Sequence, residues 1–363
     1  MKARVHSLAI LLPLVIAILP AAGTTGGRDP LAAEIARWRD YIQRHAESGE
    51  DWTQIKQATE PALAAAEKAL ARGYRWLALQ KLGAARGYLA AQVYTETQRQ
   101  ATADEAARVE TEWNRLGAAM RRDLAAPAPA ALSGVEPAAL RAIAEAALPQ
   151  VRAFYESSLE YGRATTPRYG FLYLGLAQAQ RDFARFCRTL AAPTGQKKPP
   201  VRSLGLELDA LESELLAAYR PPASIDKHSD FIVASDALKE ARDLDQAGLR
   251  YGALARYLLA VQRLTPVRPT PRPPLNSDLL QQRLKQWDAR LSQGETDHSI
   301  GRLFLEAASA DAADATAGAA PVFATTIVED VLPRYFAALE PARPSPPRPA
   351  PQTTVTLVRW PYT

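Results

Sequence analysis

Residues 243–264 read DLDQAGLRYGALARYLLAVQRL. Helix-forming residues run up to Gly248, then an aromatic follows three positions later at Tyr251, and small and apolar residues resume with Ala253, Leu254 and Tyr257. A glycine between two amphipathic segments suits a helix end that needs a left-handed residue. The same device occurs earlier in the chain, where LAAAEKALARGYRWLAL from Leu63 aligns with LKEARDLDQAGLRYGAL from Leu238. Leu63 pairs with Leu238, Ala66 with Ala241, Gly73 with Gly248, Trp76 with Tyr251, and Ala78-Leu79 with Ala253-Leu254. Both stretches therefore predict a helical hairpin closed at a glycine. A third, LLQQRLKQWDARLSQGETDHSIGRLFLEAASA at 279–310, predicts a turn at Gly294.

The rest of the chain agrees in class. Ala, Leu, Glu, Arg and Gln dominate, and β-branched residues seldom alternate with polar ones, which predicts an all-α protein: antiparallel hairpins forming a bundle or a short α-solenoid. Asp29-Pro30 and Thr166-Pro167 each place a capping residue before a proline at the first helical position. Thr102 with Glu105 fits a capping box and divides the long segment from Tyr74 into two helices, the second ending near Leu124. Tyr169, Tyr173, Leu176, Gln180, Phe183 and Cys187 advance by three or four residues and read as a core stripe. Proline-rich stretches at 125–134, 191–200, 266–274 and 341–352 lack helix donors, and the last two read as extended rods. They divide the chain into helical blocks at 29–124, 135–220 and 225–340, followed by a Pro/Arg-rich linker at 341–352 and an extended segment at 353–363.

Within 236–266, Ala253, Tyr257 and Ala260 have the small–aromatic–small spacing, and Ala241 the small position, of a tetratricopeptide-type hairpin, which this stretch resembles. It departs from that family at Ala237, where tryptophan is preferred, at Leu244, where tyrosine is usual, and at Thr265, where proline is common. The echo at 63–90 keeps less of the pattern. The resemblance implies stacked hairpins that present a concave surface to peptides or protein segments.

Residues 1–23 place Lys2, Arg4 and His6 before an apolar run from Leu8 to Leu19 and then PAAG, the pattern of a secretory signal peptide cleaved before Thr24. The run is shorter than the about 20 apolar residues that span a bilayer and contains Pro13. Export to the periplasm or the exterior is the expectation, with no stable membrane insertion after cleavage; an uncleaved signal holding the chain at the membrane is the competing reading. Without Lys2 and Arg4, 42 of the 44 basic residues remain against 39 acidic ones, a balance that asks for no nucleic acid. One cysteine cannot form an internal disulfide, so packing must supply the stability.

Motifs for chemistry are few. His45, His228 and His298 fall in no HExxH pattern and at no ligand spacing; there is no CxxC, GxSxG, phosphate loop or dinucleotide fingerprint, and no cofactor or metal is expected. His228 in DKHSD and His298 in ETDHS read as surface turns or helix caps, and Cys187 as a small buried hydrophobe. The terminal TTVTLVRWPYT alternates like a strand, with Val355, Leu357 and Trp360 positioned either to pack back on the helices or to hook a partner's sheet edge. The sequence thus predicts an exported, non-catalytic helical scaffold or adaptor that binds a protein or peptide in the cell envelope, with Tyr251, Tyr257, Val355, Leu357 and Trp360 as candidate contacts. The alternative is an α-helical hydrolase or lyase acting on glycan or peptidoglycan through paired carboxylates, whose separation no sequence reveals.

Overall fold

The structure, a computed structural model, describes residues 29–45, 50–99, 105–125, 137–163, 167–190, 196–270, 272–315 and 321–340. Among these the chain is all-α, with one isolated bridge between Lys197 and Thr296 and no strand. The longer helices are α1 (Pro30–His45), α2 (Glu50–Ala71), α3 (Arg75–Arg99), α4 (Glu105–Ala125), α5 (Ala138–Arg163), α6 (Pro167–Thr189) and α7 (Gly205–Ala218). They continue as α8 (His228–Gln246), α9 (Arg250–Leu264), α10 (Ser277–Leu291) and α11 (Ser299–Asp314). A final helical stretch comprises α12 (Val322–Thr326), a π-helical segment (Ile327–Val331) and α13 (Leu332–Leu339).

The three predicted glycine turns are left-handed: φ is +78° at Gly73, +76° at Gly248 and +77° at Gly294. The first two have the same hydrogen bonds at equivalent positions. Gly73 N–H donates to the Leu70 carbonyl and Tyr74 N–H to that of Ala69, both at 2.9 Å; Gly248 N–H donates to Asp245 at 3.0 Å and Leu249 N–H to Leu244 at 2.9 Å. This is the Schellman pattern, which satisfies the last carbonyls of one helix while reversing the chain into the next. At α1, Asp29 caps as its sequence suggests, accepting from Leu31 N–H at 3.1 Å. Thr102 and the signal-like residues 1–23 lie outside the described residues.

The helices pack in a row that does not follow chain order: α2, α3, α6, α5, α9, α8 and α7 each lie against the next, and α11 lies against both α3 and α5. Small residues let backbones approach along the row. A Cβ on Gly175 of α6 would stand 3.0 Å from Ala91 Cα of α3, and one on Gly252 of α9 would stand 2.6 Å from Glu145 Cβ of α5. One core joins α5 to α7–α11 and the C-terminal helices, and a second joins α1–α3 to α6.

A helix that starts directly after a tight turn has no room for a local N-cap, so its first N–H groups need other acceptors. Side chains from distant helices supply them. Glu306 of α11 accepts from Leu77 N–H at 2.8 Å, and Glu145 of α5 accepts from Gly252 N–H at 2.8 Å. Asp297 and Ser299 accept from the Ala138 and Ala139 N–H groups at the start of α5, Asp245 of α8 accepts from Leu204 N–H before α7, and Asp311 of α11 accepts from Ala324 N–H in α12. These bonds tie each helix start to a partner element and fix the packing order as well as the backbone.

Two local expectations change. Leu176, Gln180, Phe183 and Cys187 are buried, but Tyr169 is 50 % exposed. Its turn lies at the start of α6, beside the last turn of α5, where Tyr169 meets Tyr161 rather than a core. The stretch at 266–274 is no free rod: Thr265–Val267 forms a 3-10 turn with Val267 buried. Arg268 then donates to Glu214 of α7 at 2.8 Å and to Asp330 at 3.0 Å, and Arg334 donates to the other Glu214 oxygen at 2.7 Å. Burial alone would raise the Glu214 pKa, but the bonds from Arg334 and Arg268 outweigh it and hold the carboxyl low.

Candidate binding cleft

A cleft of about 670 Å³ opens between α2, α3, α5, α9 and α11. Alanines supply much of its surface, among them Ala69 of α2, Ala84 of α3, Ala142 and Ala146 of α5, and Ala307 of α11, with Ile143, Leu259, Leu303 and Phe304 adding larger apolar side chains. Its size is in the range of clefts that take a small ligand or several partner side chains. It exists because alanine permits close helix approach without filling the space above the backbone.

The polar groups lie mainly on the flanking helices. Lys68 of α2, Arg72 in the turn that follows it, Lys81 of α3, and Arg256 and Arg263 of α9 line the cleft, against two carboxylates, Asp311 and Asp314. Both carboxylates are engaged: Asp311 caps α12, and Asp314 accepts from Lys68 and Arg72 at 2.8 Å each, bonds that hold its pKa low. Arg256 is largely but not fully buried, and that desolvation pushes its guanidinium pKa down against the pull of Glu240 at 3.0 Å; it also donates to the Ala146 carbonyl. Lys81 and Arg263 have no ion-pair partner among the described residues, and the Arg263 Nε is buried without an acceptor there.

Glu306 lies behind this surface, next to Ala307. Burial raises its carboxyl to about 7, more than the opposing bonds from the Leu77 and Trp76 N–H groups lower it. Its partners are backbone amides at a helix start, where a carboxylate also meets the positive end of the helix dipole.

Of the sequence candidates, Tyr251 is half-buried, donates to the Pro199 carbonyl at 3.2 Å, and lies 4.9 Å from the Arg141 guanidinium. Tyr257 is 3 % exposed and packs in the core, so it offers no surface to a partner. Val355, Leu357 and Trp360 lie outside the described residues, as do 341–352. Neither tyrosine lines the cleft. His228 begins α8 and meets Tyr219 Oη at 2.8 Å; His298 precedes α11, meets Tyr335 Oη at 2.9 Å, and has its pKa lowered chiefly by burial. Among the described residues no group of three or more His, Cys, Asp or Glu could hold a metal ion, and no helix is long and apolar enough to cross a membrane.

The cleft residues were missed in sequence because many of them are alanines, which look like ordinary helix formers until two helices are placed side by side. The one available signal was the spacing of arginines on 250–264, where Arg256 and Arg263 fall two helical turns apart on one face. Comparisons with protein-family models, with curated proteins and with solved structures found no match to this chain.

Proposed function

We propose that this chain is an exported helical-hairpin adaptor, similar in plan to tetratricopeptide proteins, that takes a segment of a partner protein into the cleft between α2, α3, α5, α9 and α11. The observation that supports it is the cleft itself, an open apolar surface to which both hairpins of the internal echo contribute. Among the described residues its lining has no pair of unengaged carboxylates of the kind glycoside hydrolysis uses, which favours binding over hydrolysis. Export rests on residues 1–23, and N-terminal sequencing tests it: a start near Thr24 supports it and a start at Met1 supports the membrane-held form.

The binding claim is tested with a photo-crosslinking residue at Ala307, inside the cleft, and a control at Ser213, exposed on α7. A defined protein adduct at 307 that is absent at 213 is the expected result. Equal labelling from both positions, or none from either, refutes it. A chain lacking 353–363 separates the tail from the cleft, because a cleft partner survives that truncation and a tail-hooked partner does not.

A further inference from the structure

The distribution of charge around the cleft narrows what it takes. Its alanine-rich centre comes largely from α5 and α11, while the cations lie on the elements to either side: Lys68, Arg72 and Lys81 on the α2/α3 hairpin, Arg256 and Arg263 on α9. Asp314 pairs with both Lys68 and Arg72 but its single charge leaves that pair net positive, Glu240 pairs with Arg256, and Lys81 and Arg263 are left with no acid within ion-pair reach among the described residues. The complement of this surface is a body with an apolar stripe and acidic side chains along both edges. A helix supplies that shape, since positions three and four apart share a face and their neighbours flank it. Alanine on the receiving side allows the close interaxial approach that helix packing uses.

We infer that the cleft binds an amphipathic helix of a partner protein, with an apolar face bordered by Asp or Glu, and that Lys81 and Arg263 select for those borders. This rests on reading the cleft as a protein-binding site. The chain's own end is a poor occupant: residues 341–363 carry Arg343, Arg348 and Arg359 and no acidic side chain. An anionic membrane offers the right charge but needs a protruding apolar face to insert, and this apolar surface is recessed between helices.

The test uses the chain from Thr24 onward and two labelled helical peptides of equal length with one leucine/alanine face, bordered by Glu in one and by Lys in the other, read by fluorescence anisotropy. The Glu-bordered peptide is expected to bind at least about tenfold more tightly at low salt, with the difference shrinking as salt rises. Lys81→Glu combined with Arg263→Glu, with helicity checked by circular dichroism, is expected to remove or reverse that preference. Equal binding of the two peptides, or a preference that survives the double substitution, overturns the charge inference and leaves the cleft as a binding site. Binding of neither peptide overturns both this inference and the adaptor reading. Binding to vesicles of anionic phospholipid, with no peptide binding, overturns it in favour of a membrane contact.

Discussion

The hairpins α2/α3 and α8/α9 solve one problem in two ways. Both turn through a left-handed glycine with the same pair of reversing hydrogen bonds. Both then start a helix with no local cap, and in both a glutamate from another helix accepts the N–H at the equivalent position, Leu77 in one and Gly252 in the other. They differ in how close the helix that carries the accepting glutamate comes. Glu306 reaches α3 from far enough away that a leucine fits at 77, whereas α5 lies so near α9 that a Cβ at 252 would come within 3.0 Å of the α5 backbone. The repeated turn is local and tolerates different surroundings; the residue after it records the distance to the neighbouring helix.

The largest expected effect breaks that difference. Gly252→Leu, which copies the residue at the equivalent position 77, puts a side chain where Glu145 Cβ and Ala146 N already stand 2.6 and 2.9 Å from the position an added Cβ would take. Overpacking against backbone is expected to cost about 3 kcal/mol or more, measured by urea denaturation. Leu77→Gly should cost a comparable amount for the opposite reason, a cavity with the transfer energy of a buried leucine lost, about 2–5 kcal/mol. A mild effect of Gly252→Leu would mean that the α5–α9 approach yields easily and that the contrast between the hairpins is shallow.

The two caps provide the next test. The folded-state pKa of Glu306 lies at about 7, above its ordinary value of 4.5, so the folded chain holds this proton where the unfolded chain has released it. The stability linked to this group is therefore fully present below about pH 4.5 and is lost as pH rises through 7, at up to about 1.4 kcal/mol per pH unit within that window. Glu306→Gln should flatten this part of the stability–pH profile, read from thermal or urea midpoints between pH 5 and 8. An unchanged slope would show that the cap is less buried than its position between α11 and α3 implies.

A smaller effect sharpens what the hairpins share. At Gly73 and Gly248 no heavy atom lies within 4 Å of an added Cβ, so alanine there meets only the left-handed backbone penalty. Gly73→Ala and Gly248→Ala should each cost about 1–2 kcal/mol, and by nearly equal amounts. Unequal losses would mean that one turn carries strain from its neighbours and that the identical hydrogen bonds conceal different energetics.

What the sequence made legible was local. The three turn glycines, the Asp29-Pro30 start and the break between α3 and α4 follow from residues within a few positions of one another. The distant caps did not show because Glu306 and Leu77 are 229 residues apart, and nothing near either marks the other. Tyr257 misled for the same reason: its helical spacing is right for a hairpin, but spacing does not say whether a ring faces a partner or a core. The proline-rich stretch at 266–274 looked unattached because its anchor, Arg268, finds its acids on α7 and the π-helical segment. The cleft is lined by helices drawn from α2 through α12 and needs them in place before it exists.

The smallest expected effect bears on where the two hairpins part. Position 86 of α3 corresponds to 261 of α9, and there a fully buried arginine stands opposite a fully buried valine. Burial lowers the Arg86 guanidinium to about 10, with Glu34 the main opposing influence. Glu34 lies 3.2 Å from Arg86 Nε without hydrogen-bond alignment, and the two terminal nitrogens have no acceptor among the described residues. The guanidinium instead lies among the rings of Trp38, Phe183 and Phe186, 5.2 to 5.9 Å from their centres. A buried charge with one poorly aligned partner contributes little net stability, and Glu34 keeps Arg37 and the Trp38 indole N–H as donors without it. Arg86→Met, which keeps the length and the contact with the rings, is therefore expected to leave the urea midpoint unchanged or raise it slightly. A loss of about 3 kcal/mol or more, as when one partner of a needed buried pair is removed, would show that the arginine holds α1 and α6 on α3 through its charge, and that at this position the two hairpins are built on different principles.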